Sequence, residues 1–487
     1  MPWWLLHKGG GVRGGLDDLG MPQNFIECDR EQVLLMPPSL REWLPEDHLA
    51  WFVIAAVAEM DLAPFYGAYR EDGHGRAAHD PAMMVALLLY AYATGRRSSR
   101  VIERACVEDV AFRVIAANQR PDHCTVARFR QRHEAALAGL FGDVLALCAD
   151  AGLVGVSVLA VDGTKVHANA SHHQNLDYER LAREILAEAD AVDAEEDQRF
   201  GERRGDELPA ELSTEQGRRG WLREAKRRLE EQRAAEARPI PKSRPARLRE
   251  AKRRLDEEHA VHLEANVAYE AYRARGRMKD GRRFGKPPTP YEPPATPEGK
   301  VNVTDPDSRN VKTPRGWVQG YNAQAVANEH QIVVAAEINA ESPDFGHLEP
   351  MVAATERELA AAGVRDRPEV VLADAGYWHH DQMEGLTSRG IQVLVPPDAG
   401  KRKGARPGWD GGRYEFMRGV LASETGGALY RKRQGMIEPV FANTKFNRRL
   451  DRFLRRGRAA CRSEWRLINA THNLLKLHSH QAVGAGA

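Results

Sequence analysis

The chain has 487 residues, 42% of them hydrophobic, and a formal net charge of +1. That length predicts roughly three domains of about 150 residues with real cores, and no run of eighteen apolar residues is present to span a membrane as a helix. The five cysteines (Cys28, Cys106, Cys124, Cys148, Cys461) show no CxxC or Cys/His zinc spacing, which excludes a disulfide framework or zinc module and predicts free thiols in a reducing cytosol.

Residues 1–28 read as a poorly ordered N-terminal extension. The apolar run within 1–20 is too short for a signal peptide, and a misplaced start codon ahead of Met21 would explain it. Residues 29–152 read as a helical domain. PAMMVALLLYAYATG (81–95) predicts an apolar helix closed by Gly95, SSRVIERACVEDVAFRVIAAN (98–118) a second with a serine cap, and TVARFRQRHEAALAGLFGDVLALCADAG (125–152) a third. Helices around the polar turn QRPDH (119–123) suit either a helix-turn-helix, with Arg128, Arg130 and Arg132 toward phosphate, or a plain bundle with an arginine-decorated face.

SVLAVDGTKVHANAS (157–171) carries strand formers up to Asp162 and reads as a pair of strands turning at Gly163. From 176 to 284 the chain becomes highly charged. A ten-residue unit repeats there, LREAKRRLEE (222–231) and LREAKRRLDE (248–257), with leucines seven apart in each copy. It predicts two helical arms folded back through the break RPIPKSRP (238–245). Such an arm serves DNA, a second protomer, or nothing beyond solubility. The proline-rich stretch KPPTPYEPPATPEGK (286–300) ends the insertion.

Strand signals then resume. GYNAQAVAN (320–328) and QIVVAAEINA (331–340) predict a hairpin, and SPDFGHLEPMVAATERELAAAG (342–363) an amphipathic helix. EVVLAD (369–374) reads as a buried strand, HDQMEGLTSRG (380–390) as a helix and IQVLVP (391–396) as another strand. The fold class is therefore α/β: a mixed sheet with flanking helices, preceded by an N-terminal helical domain and interrupted by a long helical insertion.

Between 401 and 466 there are 18 Lys+Arg against 6 Asp+Glu, a local charge of +12 in a chain whose total is +1. So long a basic run reads as a surface for a polyanion. Embedded in it, YRKRQGMIEPVFANTKFNRRLDRFLRRGR (430–458) reads as a basic helix bearing Glu438, with Lys445 two turns on along the same face and Arg448, Arg449 and Arg452 following. Two aspartates on strand ends, Asp162 and Asp374, with Glu438 on a later helix, form a set of hard oxygen ligands suited to two Mg²⁺ or Mn²⁺ ions about 3.5–4 Å apart, the arrangement for in-line phosphodiester chemistry.

Several blocks together resemble the insertion-sequence transposases with a DDE triad, and within them the insertion-sequence family eleven-eighty-two. Tyr430-x2-Arg433-x4-Glu438-x6-Lys445 is similar to their tyrosine, arginine, glutamate, lysine signature, with four residues instead of three before the glutamate. The Asp374-Ala375-Gly376-Tyr377 block and VDGTKVHANAS are similar to the stretches around their two aspartates, and NVTDPDSR (302–309), VQGYNAQ (318–324) and MPPSLREWLPEDH (36–48) add to the likeness. The resemblance implies an RNase H-like catalytic domain in two parts, 153–175 and 301–478, split by the insertion at 176–300 and followed by a disordered tail at 479–487. It implies Asp162, Asp374 and Glu438 as the metal-binding triad. Tyr430, Arg433 and Lys445 are implied as DNA contacts near the cut; Arg448, Arg449 and Arg452 from the basic run, and Arg128 and Arg130 from the helix-turn-helix reading, are the further candidate DNA contacts. It implies double-stranded DNA as partner, both the element's terminal inverted repeats and the target, a homodimer at synapsis, and a bacterial cytoplasmic, nucleoid-associated location. A nuclease of the same fold and an inactive DNA-binding relative are the alternatives.

Other features have plainer explanations. His167, His172 and His173 lack metal-ligand spacing and read as surface or DNA-proximal histidines. Asp305 and Asp307 flank Pro306 as in an Asp-Pro turn. Trp378 beside Tyr377 reads first as packing behind the site, with base stacking as the other option.

Overall fold

The computed structural model describes residues 39–69, 78–177, 180–181, 215–236, 240–241, 243–275, 291–313, 316–398, 409 and 411–485. The expected extension at 1–28 lies outside them. The chain divides into two units, Met1–Trp43 and Leu44–Ala487. Of the first, only a 3-10 turn at Leu40–Glu42 is described, capped by the Ser39 hydroxyl, which accepts from the Arg41 amide.

The second unit begins with α1 (Leu49–Ala58), α2 (Ala63–Tyr66) and α3 (Pro81–Ala93). Helix α3 starts where predicted because Asp80 accepts from the Met83 amide at 2.9 Å and Pro81 takes the first helical position, where no donor is needed. It stops at Gly95, whose φ of +76° admits little else. The two longer predicted helices are each broken into a pair, α4 (Ser99–Glu108) with α5 (Val110–Ile115), and α6 (His123–Arg132) with α7 (Glu134–Asp150). Asp109 breaks the first by turning extended and accepting from the Ala111 and Phe112 amides as a new N-cap. The second breaks at His133, whose ring is buried against Phe65, Tyr69 and Phe129.

Strand β1 (Val158–His167) is the middle of a six-stranded sheet. No turn occurs at Gly163, and Asp162 lies inside the strand, not at its end. Glycine stands at 163 because a Cβ there would lie 2.5 Å from Asp344 Oδ1 and collide with the Gln324 amide. The need is for space, not for a turn. After β2 (Asn175–Leu176) come the helical arms α8 (Glu215–Glu236) and α9 (Arg244–Arg275). They run antiparallel as the repeat predicts, joined by Arg233, which donates to Glu257 at 2.7 Å and to the Arg254 carbonyl at 3.0 Å. Leu248, Ala251 and Leu255 of α9 form a small separate core with Leu176, Leu181, Val301 and Val303, which seats the insertion on the two-stranded pair of β2 and β3 (Val301–Asn302).

Next come β4 (Arg309–Thr313), β5 (Gly316–Ala327), β6 (Val333–Asn339), α10 (Leu348–Ala361), β7 (Val370–Leu372), α11 (His380–Ser388) and β8 (Gln392–Leu394). The β5–β6 hairpin forms as predicted around Asn328, whose side-chain oxygen accepts from the His330 and Ile332 amides. Across the sheet the order is β6–β5–β1–β7–β8. Strands β6, β5 and β1 are antiparallel neighbours, and β1, β7 and β8 run parallel. Gly320 pairs with both Arg309 and His167, and Asn322 with both Lys165 and Asn339, so β4 and β6 share one edge of β5, end to end. This mixed sheet with helices is compatible with an RNase H-like core.

The C-terminal part holds α12 (Gly412–Ala422), α13 (Glu424–Ala442), a π-helical turn at Asn443–Asn447 and α14 (Arg458–Ala485). The single basic helix expected from 430 to 458 is therefore wrong. Pro439 removes one donor inside α13, and the Gly435 carbonyl it would have served accepts instead from Gln331 Nε2 at 2.9 Å. The chain unwinds four residues later, and Arg449 sits at φ +54°. The tail expected to be disordered from 479 is helical to Ala485. One continuous core runs from Ala50 through the sheet to Leu477, so the change from helices to strands near 152 leaves the packing unbroken. Among the described residues no helix is long and apolar enough to cross a membrane, and Cys106, Cys124, Cys148 and Cys461 are unpaired.

Candidate active site

Asp162 projects from the centre of β1, and Asp374 follows the end of the parallel neighbour β7. Asp374 is held by its own turn, accepting from the Gly376 amide at 2.8 Å. Both carboxyls are largely buried and close enough to repel. Burial, and then the Asp374 charge, push Asp162 up to about 6 despite the opposing pull of Arg433, which donates to its Oδ2 at 2.9 Å. Asp374 is raised by burial and by the Asp344 charge, against Arg433 and Lys165. The arrangement concentrates negative charge at the C-terminal end of the parallel strands, the usual place for a ligand in an open α/β sheet.

Helix α13 delivers the cation. Its buried Met436, Ile437 and Val440 hold it to the core, and Tyr430 and Arg433, one turn apart, share the side facing the aspartates. Tyr430 donates to the Ala373 carbonyl at 3.3 Å, immediately before Asp374. Glu438 does not join them. It lies five residues after Arg433, about 140° around the helix, whereas four would have kept it on one side. Ile437 occupies that position and is buried. Glu438 is exposed and accepts from Gln434 Nε2 at 3.2 Å.

Sequence reasoning missed the third acid near the pair. Asp344, in the loop before α10, accepts from Asn322 Nδ2 at 2.7 Å and Gln324 Nε2 at 2.8 Å and lies 3.2 Å from Lys165 Nζ. Tyr377 closes the group by donating to Gln324 Oε1. Side chains alternate along a strand, so Gly163 and Lys165, with their cross-strand partners Gln324 and Asn322, face away from Asp162. Period-two spacing in GYNAQ and DGTK was the available signal; nothing pointed to Asp344.

The other predicted contacts divide. Lys445 Nζ donates to the Lys165 carbonyl at 2.8 Å, tying the π-turn to β1. Arg448 is buried and bonds the carbonyls of Tyr92 (2.8 Å) and Ile468 (3.1 Å), a brace inside the core with no face to a partner. Arg130 bonds the Arg97 carbonyl at 2.7 Å and Tyr92. Arg128, Arg449 and Arg452 are exposed. Trp378 is buried among Trp409, Tyr414 and His380, which settles it as packing. Asp305 is a core hydrogen-bond acceptor for Tyr321 (2.9 Å) and the Gly457 amide (3.2 Å).

Asp162 and Asp374 fit a hard divalent cation in donor type. The number of donors does not close: among the described residues no three His, Cys, Asp or Glu side chains are placed to hold a metal ion.

The sheet and its paired acids are compatible with an RNase H-like core, and comparison with known families narrows the reading. Residues 294–474 match the family described as Transposase DDE domain, and residues 38–132 match Transposase domain (DUF772). The two matches indicate a DDE-type transposase. No curated protein and no solved structure matches the chain.

Proposed function

We propose that the chain is a DNA transposase of the insertion-sequence type with an RNase H-like catalytic core. It would bind the terminal inverted repeats of its element, hydrolyse a phosphodiester there and join the freed 3′-hydroxyl to target DNA. The observation that carries this is the pairing of Asp162 and Asp374 across β1 and β7, with Asp374 inside the matched segment 294–474 and Asp162 brought to it by the fold from outside both matched segments. In this reading Asp162 and Asp374 would hold Mg²⁺ or Mn²⁺, two ions in all, and Glu438 would serve as third ligand only after α13 rotates to bring it round to the aspartates. When bound, such ions supply a deprotonated nucleophile and neutralise charge on the departing oxygen. Arg433 balances the Asp162 charge, and with a metal ion held there it would be free to meet a phosphate. Tyr430 holds the backbone before Asp374 in register. Lys445, Arg449, Arg452 and Arg128 remain as proposed DNA contacts, and Arg130 and Arg448 are left out because their guanidiniums bond the core. Synapsis of two ends would make the working form a homodimer, in the bacterial cytoplasm where the DNA is.

One observation favours a second reading. With Glu438 turned outward, the chain would bind element ends without cutting them. Purified protein, given a linear duplex carrying the element's end and Mg²⁺ or Mn²⁺, separates the two. Cleavage followed by strand transfer supports the transposase, cleavage alone a nuclease, and binding alone the inactive relative. Asp162→Asn, Asp374→Asn and Glu438→Gln are each expected to abolish cleavage and keep end binding; a variant that still cuts loses its residue's place in the triad.

A further inference from the structure

Beyond His167 the edge of the sheet opens into a cleft of about 650 Å³, lined by His167, His173, Trp317, Gln319, Arg452 and Arg456 among others. We infer that this cleft is a second nucleic-acid site, which takes an unpaired nucleotide of the DNA strand, its base on Trp317 and its phosphates on Arg452 and Arg456. The inference rests on the transposase reading and adds to it a place for a strand outside the carboxylate pair.

Three observations carry it. Trp317 is 60% exposed at the start of β5, an unusual setting for the largest apolar side chain. An indole face left open beside guanidinium groups is the composition that binds single strands, since any base stacks on it and cations follow the backbone. Second, the cleft is already built. Asn169 Nδ2 donates to the Leu454 carbonyl at 2.8 Å, and Arg456 Nε donates back to the Asn169 carbonyl at 2.8 Å, clamping one wall. Gln319 accepts from Asn175 at 2.8 Å and donates to Ser308 at 2.6 Å, fixing the floor. A cleft of that size, held by such bonds, suits one nucleotide without rearrangement.

Third, a basic path leads to it from the acidic pair. Lys445 rests on the Lys165 carbonyl, and the chain from Asp451 to Phe453 pairs alongside His167, so the segment carrying Arg449, Arg452 and Arg456 follows β1 away from Asp162. Asp162 and His167 are five residues apart, about 16 Å along a strand. At about 3.4 Å per nucleotide of one strand, the cleft would meet a base about five nucleotides from the cut.

The test uses the full chain and two DNA probes: an element-end duplex, blunt, and the same duplex with a six-nucleotide single-stranded flank scanned with 2-aminopurine. For wild type, 2-aminopurine about five nucleotides from the end is expected to be quenched. Trp317→Ala is expected to remove that quenching and weaken the flanked probe about 5- to 150-fold, the range of one lost stack, with the blunt probe unchanged. Trp317→Phe should keep most of the affinity, which guards against a folding artefact. Arg452→Ala with Arg456→Ala should lower the salt slope for the flanked probe by about 1.4. Equal losses on both probes, or none, overturn the inference and leave the transposase reading standing. A wild type that binds neither probe overturns both.

Discussion

Replacing Asp162 by asparagine should change the pH dependence of stability in a calculable way. The carboxyl is held at about 6 in the fold against 3.8 for a free aspartate by burial, which outweighs the pull of Arg433, with the Asp374 charge adding a smaller push upward. The unfolded chain thus releases this proton first as pH rises, so the native state binds more protons between the two values and stability falls through that window. A shift of about two units at about 1.36 kcal/mol each gives a loss of about 3 kcal/mol, an upper figure for a side chain 17% exposed. Asparagine keeps the shape and one acceptor for Arg433 and cannot ionise. Urea unfolding of both proteins, from pH 4 to pH 7.5, should show near-equal stability at the acid end and a variant stronger by up to about 3 kcal/mol at the neutral end. Asp143 and Asp305, each also raised to about 6, are common to both proteins and cancel in the difference. A difference that stays constant across the range would refute the burial and repulsion assigned to Asp162.

Two further substitutions test the surroundings. Gly163→Ala forces a Cβ to 2.5 Å from Asp344 Oδ1 and 2.9 Å from Asn322 Oδ1, so it should cost about 1–3 kcal/mol of stability in chemical denaturation, as overpacking does. A neutral result would show that the Asp344 loop can move aside. Arg448→Met removes the charged donor from the Tyr92 and Ile468 carbonyls, which keep the Gly95 amide and the Thr471 hydroxyl, and should cost about 1.5–3 kcal/mol, while end binding by the folded fraction stays unchanged. Weakened binding without loss of stability would return Arg448 to the DNA surface.

Much of the fold was legible because it rests on local signals. The Asn328 turn, the Asp80 cap with Pro81, the repeated leucine arms and the apolar strand at 369–374 each carry their cause within a few residues. The errors came where a distant partner decides. Gly163 looks like a turn until Asp344 and Gln324, from the far side of the insertion, fill the space a Cβ would need. Asp109 and His133 divide helices whose apolar spacing runs straight through them. The 430–458 stretch has helical composition, but Pro439 and the bonds from Gln331 and Lys445 to other elements end the helix early. At the site, the two aspartates could be read from apolar runs that end in an acid. The position of Glu438 could not, because one added residue turns it away from Arg433, and composition does not register angular phase. Arg448 shows the same limit: sequence reports its charge, and only packing reports that the charge is buried.

The most direct measurement is Mn²⁺ binding, followed by electron paramagnetic resonance on the wild type, Asp162→Asn, Asp374→Asn and Glu438→Gln. If the paired aspartates are a metal site, the wild type binds Mn²⁺ and both asparagine variants lose at least about tenfold in affinity, a change of about 1.4 kcal/mol or more. Equal Mn²⁺ affinity in the wild type and both asparagine variants would contradict it, and leave Arg433 as the cation that Asp162 is paired with.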